Sequence, residues 1–232
     1  MSYQKPNKTQ RNAEYLKSIG FVSQQAYQEE SILPLKMFLI ICEGLNTEPL
    51  YFDSFPVPSK SVITMGGKNT KSKLVEFALN ERDKAEYADR EVWCVFDFDI
   101  KPDEGHSQPK DFNDSIKKAK AAGLHVAWSN DAFELWFLLH YKDLEAAHSR
   151  EEIYPILKDK WNLKSFSKEA KKVEFCKGLY DLHNNINGAS QPDAIRRAKR
   201  LHEQQDKNEN YAKQCPCTTV YLLVEELNKY CK

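Results

Sequence analysis

After Lys36, apolar positions run unbroken through residues 37–42, MFLIIC, and then stop at an acid, Glu43. A short continuous apolar run of this length predicts a strand buried on both faces of a parallel sheet. The same reading gives strands over residues 61–65 (SVITM), 91–97 (EVWCVFD) and 124–128 (LHVAW), the third rich in β-branched and aromatic residues. Between them the period lengthens. A helix is expected from Glu48–Pro49, where proline suits the first turn and Asn46 or Thr47 can cap, and another over about 70–87. Phe112, Ile116 and Ala119, spaced i, i+4, i+7, mark a third helix ended by Gly123. SNDAFELWFLLHY, residues 129–141, is a helix apolar on nearly every side. Strands alternating with helices predict an α/β fold, a parallel sheet between two helical layers.

The texture changes at about residue 142. Residues 143–232 predict helices near 150–160, 168–183, 190–207 and 218–230, with no convincing strand. Ser149–Glu152 has the spacing of a capping box, and Ser190–Asp193 resembles one. Residues 1–34 are polar, helix-compatible in pieces such as NAEYLKSIGF, and read as an N-terminal arm. The expected organisation is therefore an arm (1–34), an α/β domain (35–142) and a helical C-terminal region packed on it (143–232).

Composition narrows function by exclusion. The chain has 232 residues, 41% hydrophobic and 29% charged, with 34 basic and 34 acidic side chains. A formal net charge of zero argues against indiscriminate attraction to nucleic acid while leaving room for a local basic face. No apolar run approaches the ~20 residues of a membrane span. The N-terminus lacks a signal-peptide core, so no membrane partner is expected and the chain is read as cytoplasmic. In that compartment the six cysteines are free thiols, and the spacing of Cys215 and Cys217 fits no standard zinc finger.

The chemistry sits at strand ends. Glu43 closes the first strand, Asp97 and Asp99 close the third, and Ser129–Asn130 follows the fourth. Ligands bind at the C-terminal edge of open parallel sheets. Acids gathered there repel and raise one another's pKa unless a cation neutralises them. Hard oxygen donors suit Mg²⁺ or Mn²⁺. On extended chain Asp97 and Asp99 point the same way. Glu134, three residues after Asp131, has two readings, a capping carboxylate or a participant in the metal site. Glu48 is read as a structural acid at the positive end of its helix. Lys68, after Gly66–Gly67, is a candidate phosphate contact, although the loop is not a Walker A loop. His140 reads as a helix-capping or core-edge imidazole. Arg196, Arg197, Lys199 and Arg200, with the basic run over 168–177, are candidate faces for a nucleic-acid backbone, against a solvated helix face.

ICEGLNTEPLYF, VWCVFDFD, HVAWSNDAFELWFLLHY and TTVYLLVEEL, in this order, resemble the RloB family of prokaryotic defence proteins, itself similar to the Toprim fold. The resemblance covers roughly residue 36 to the C-terminus and implies a Toprim-like core. The Toprim glutamate falls on Glu43 and the paired aspartates on Asp97 and Asp99, holding Mg²⁺ for phosphodiester cleavage. It also implies a partner ATPase in an abortive-infection or restriction-linked system. Two departures stand out. Ile100 occupies a position where relatives often carry an acid, for which Asp103 or Glu104 can substitute. Asp131 stands where the family's S-N-P has proline. The expected activity is a Mg²⁺-dependent nuclease acting on RNA, tRNA included, or DNA. The alternative is a non-catalytic metal- or nucleotide-binding subunit of the ATPase complex. Self-association is left open.

Overall fold

A computed structural model describes residues 36–58, 60–65, 70–99, 107–183, 188–205 and 208–231. All of them fall within one unit, Leu35–Lys232. The arm, Lys68, Asp103 and Glu104 lie outside the described residues.

Four parallel strands, β1 (Phe38–Cys42), β2 (Lys60–Thr64), β3 (Glu91–Asp97) and β4 (His125–Asn130), are joined by a short antiparallel fifth, β5 (Cys217–Thr218). The spatial order is β2-β1-β3-β4-β5. All five β1 residues are buried, as a strand covered on both faces requires. Side chains alternate between two cores. Phe38, Ile40, Cys42, Trp93 and Val95 face one, and Leu39, Ile41, Val92, Cys94 and Phe96 face the other.

The second core is covered by α2 (Lys71–Arg82) and α3 (Ser107–Ala121). The first is covered by α1 (Thr47–Asp53), α4 (Glu134–Leu139) and the C-terminal helices α5 (Arg150–Lys160), α6 (Phe166–Glu169), α7 (Val173–Lys177), α8 (Leu179–Leu182), α9 (Gln191–Glu203) and α10 (Val220–Asn228). The architecture is the α/β, three-layer arrangement expected. Every α4 residue is buried, and each large apolar side chain placed there contributes about 1.5–3 kcal/mol. None of the described helices is long and apolar enough to cross a membrane.

Three expectations need correction. The helix read over 129–141 spans only Glu134–Leu139, because Ser129 and Asn130 continue β4. The C-terminal region does contain a strand: Asn130 pairs with Cys217 and Ser129 with Thr218, which makes the sheet mixed rather than purely parallel. Two residues following a proline carry no readable period, and only the open edge of β4 defines them as a strand. The helical stretch over 168–183 is three short helices, interrupted by extended backbone at Lys172 and by Gly178. The two serine caps behave as read, but Asn46 makes no side-chain capping bond to α1 and donates instead to Lys171 O at 3.0 Å. The Glu152 carboxylate accepts from the Ser149 N–H at 2.8 Å, and the Ser190 hydroxyl accepts from the Asp193 N–H at 3.3 Å.

His140 lies deeper than a core-edge residue, only 1% exposed, and packs against His183 with ring centroids 4.5 Å apart. Each Nδ1–H donates to the carbonyl four residues back, Trp136 and Leu179 respectively. Burial, followed for His140 by the neighbouring His183, lowers both pKa values, that of His183 to about 4. A histidine held neutral by the fold stabilises fully above its unfolded pKa. That stabilisation is lost as pH falls from 6.5 through 4. The stability advantage of wild type over His183→Phe is therefore expected to shrink by about 3 kcal/mol between pH 7 and pH 4. Urea unfolding at each pH reads it. An unchanged difference would mean that His183 titrates normally.

Candidate functional site

The end of β1 turns its first acid toward α2. Glu43 continues the ladder, its N–H donating to Val95 O at 2.9 Å. Strand alternation then puts its side chain on the face of Leu39 and Ile41. There both carboxylate oxygens accept from Lys71 Nζ, at 2.6 and 2.8 Å. Lys71 is 7% exposed. It is the first residue of α2, and Asp111 of α3 pins that start by accepting from the N–H groups of Lys71 and Ser72 and from the Ser72 hydroxyl.

A side chain at Gly44 would displace the Glu48 carboxyl. A Cβ there would lie 2.1 Å from Glu48 Oε2, because the Glu48 carboxyl folds back over the glycine. Glu48 keeps part of its surface open to a cavity of about 450 Å³ that Glu43, Asn46, Thr47 and Lys171 also line. Burial pushes its carboxyl up to about 7; Lys171 acts against the rise, while Glu134 and Glu43 add to it.

Asp97 closes β3 on the opposite face from Glu43, following Trp93 and Val95. Its Oδ2 accepts from the Phe133 N–H at 3.2 Å, just before α4. Burial, then Glu48, Glu43 and Glu134, hold its carboxyl well above the usual range against the pull of Lys71. The extended chain ends here. Asp99 adopts φ +52, a left-handed conformation that aspartate tolerates better than most residues, and its N–H donates to Asp131 O at 3.0 Å. The two aspartates therefore part company. Asp99 Oδ1 meets Arg150 Nη1 at 2.6 Å, and Arg150 also contacts both Asp131 oxygens at 3.2 Å. Although burial acts to lower it, the Arg150 pKa is raised by these aspartates.

Glu134, 3% exposed, opens α4 but does not cap Asp131. Its carboxylate pairs with Lys171, from the link between α6 and α7, whose ammonium also reaches the Thr47 hydroxyl. Burial first, then Glu134, pushes the Tyr154 phenol up to about 12.

Of the residues singled out from sequence, Glu43, Asp97 and Glu134 thus fall into one electrostatically coupled group, while Asp99 is held beside it by Arg150. The group includes Glu48, which reads from sequence as a structural acid, and is balanced by Lys71, which no motif marks, and by Lys171 of the basic run over 168–177, which pairs with Glu134. A signal for Glu48 did exist in Glu-Gly-x-x-x-Glu, which puts a residue without a side chain under a returning carboxylate. The C-terminal arginines are engaged elsewhere: Arg196 with Asp193, Arg197 and Arg200 with Asp143, and Lys199 with Glu225. Arg197 also donates to Leu139 O.

Among the described residues, no group of three or more histidine, cysteine, aspartate or glutamate side chains stands in a metal-holding arrangement. The chemistry of the donors nonetheless suits a hard cation. Glu43, Glu48, Asp97 and Glu134 bring four carboxylates against the two ammonium groups of Lys71 and Lys171. If all ionise, two negative charges remain, the charge of one divalent ion, and the raised Asp97 and Glu48 are the acids that such an ion would relieve.

No curated protein and no solved structure matches this chain. A family model described as RloB-like protein matches residues 38–227, from the first residue of β1 nearly to the end of α10. That span takes in both cores and the whole acidic edge, and the chain belongs to the RloB-like family.

Proposed function

We propose that this protein is a metal-dependent nuclease that hydrolyses phosphodiester bonds of RNA, tRNA included, or DNA, in a defence system with a partner ATPase. The observation that carries the reading is the convergence of Glu43, Glu48, Asp97 and Glu134 at the C-terminal edge of parallel strands, with Asp97 and Glu48 driven toward protonation. Membership of the RloB-like family supports the defence setting. Glu43 and Asp97 would hold Mg²⁺ or Mn²⁺, with Glu48 and Glu134 as further carboxylates whose charges act on Asp97. Bound there, the metal would lower the pKa of a water and stabilise charge on the scissile phosphate. Lys71 pairs with Glu43 and Lys171 with Glu134, and Lys171 brings positive charge to the wall of the cavity, where a phosphate oxygen would lie. Arg150 positions Asp99 and Asp131.

The test is cleavage of labelled RNA and DNA by purified protein, with and without its partner, in Mg²⁺ or Mn²⁺. Wild type is expected to cut and Glu43→Gln to fail. Equal cleavage by both, or none under any combination of polymer, metal and partner, removes the assignment.

A second reading, a non-catalytic subunit that holds a metal–nucleotide and signals to the ATPase, draws on the ion pairs Glu43–Lys71, Asp99–Arg150 and Glu134–Lys171, which satisfy the acids internally. It predicts nucleotide binding that requires Glu43, without strand scission.

A further inference from the structure

Arg196, Arg197, Lys199 and Arg200 of α9 are committed to carboxylates, yet a second set of lysines faces a groove beside the acidic edge. The groove, about 560 Å³, lies between α3 and the turn Tyr211–Lys213. Lys110 and Lys117 line it from α3 and Lys213 from the turn, all three exposed. Lys110 and Lys117 are seven residues apart, two helical turns, so both project on one face about 10 Å apart. Lys117 pairs with the exposed Glu209 at 3.1 Å, and no carboxylate of the described residues pairs with Lys110 or Lys213. Among the described residues of the lining, Asp114 is the lone acid, against three lysines.

The walls are held by side-chain amides. Asn113 Nδ2 donates to Asn210 Oδ1 at 3.0 Å, and Asn113 Oδ1 accepts from the Ala212 N–H at 2.9 Å. Asn130, the last residue of β4, donates to Ala212 O at 3.0 Å. The turn carrying Lys213 is thereby fixed both to α3 and to the strand edge. Phe98 forms part of the lining and packs in the core of Leu39 and Ile41, the face onto which Glu43 projects, so the groove runs along the Glu43 side of the sheet edge.

We infer that this groove carries the phosphodiester backbone of a single-stranded nucleic acid to the acidic edge, with Lys110, Lys117 and Lys213 as its phosphate contacts. The inference rests on the proposed nuclease reading and names the surface that feeds its site. Spaced lysines on a rigid wall attract phosphates without reading bases, and each contact makes binding more salt-dependent.

The experiment measures binding by fluorescence anisotropy of labelled single-stranded RNA and DNA to full-length protein in EDTA, over a salt series. Lys110→Gln/Lys213→Gln is expected to weaken binding about tenfold. It should also flatten the slope of log K against log salt by about 1.4, two contacts at roughly 0.7 each. Lys229→Gln, whose ammonium is tied to Glu226, should leave both unchanged. A loss confined to one polymer identifies that polymer as the occupant. Unchanged binding by the double variant with its fold intact by circular dichroism, an equal loss in Lys229→Gln, or no binding by wild type overturns the groove. Because EDTA removes metal chemistry, a groove that binds in a protein that never cleaves would sink the nuclease reading alone. Cleavage with no dependence of binding on Lys110 and Lys213 would sink the groove alone.

Discussion

Asp97→Asn is expected to melt a few degrees above wild type while losing about 10³-fold of the proposed cleavage. The two effects share one cause. Desolvation and the charges of Glu48, Glu43 and Glu134 make the ionised Asp97 carboxylate unfavourable in the fold, and Lys71 only partly offsets them. An amide of nearly the same shape removes that charge and can still accept the Phe133 N–H. Each kcal/mol regained raises the melting temperature by about 2–4 °C in a chain of this size. The same substitution takes an anionic ligand from the proposed metal, whose electrostatic contribution of several kcal/mol corresponds to about three decades in rate. Thermal melts of metal-free protein and single-turnover cleavage read the two effects separately. A lower melting temperature would show that Lys71 outweighs the neighbouring acids. Undiminished cleavage would take Asp97 out of the chemistry.

Lys171→Met should destabilise the protein by about 3 kcal/mol, lowering the melting temperature by about 6–12 °C. Glu134 is almost wholly buried and its carboxylate pairs with this ammonium, which also restrains the rise at Glu48. Taking away one partner of a buried pair leaves the other charge desolvated and alone, which costs more than the pair itself contributed. The lysine side chain remains about half exposed (48%), so water can reach part of the vacated space and the loss sits at the lower end for such pairs. Adding Glu134→Gln should restore most of the stability, since the uncompensated charge goes with it. Urea titrations of the single and double variants form a double-mutant cycle. A double variant no more stable than Lys171→Met would mean that the lysine acts through packing rather than charge.

The strands show how much of this could be read in advance. β3 has the span expected, Glu91–Asp97, because a run of β-branched and aromatic residues ended by an acid has one reading in a parallel sheet. β5 escaped because two residues have no period. Asp97 and Asp99 illustrate the limit within a single motif. Strand alternation predicts that they share a direction, but β3 ends at Asp97, and hydrogen bonding to Asp131 turns Asp99 over to Arg150. Glu134 shows it again: its spacing from Asp131 allowed a cap, and a lysine 37 residues downstream took the carboxylate instead.

What the chain specified locally was the alternation of strands and helices, the placing of acids where strands end, and the glycine beside Glu43. These follow from periodicity and chain geometry over a few residues. Which cation each acid meets was decided only in three dimensions. Lys71, Arg150 and Lys171 come from α2, α5 and the link between α6 and α7, and a charge responds to whatever folds within a few ångströms, however remote in sequence.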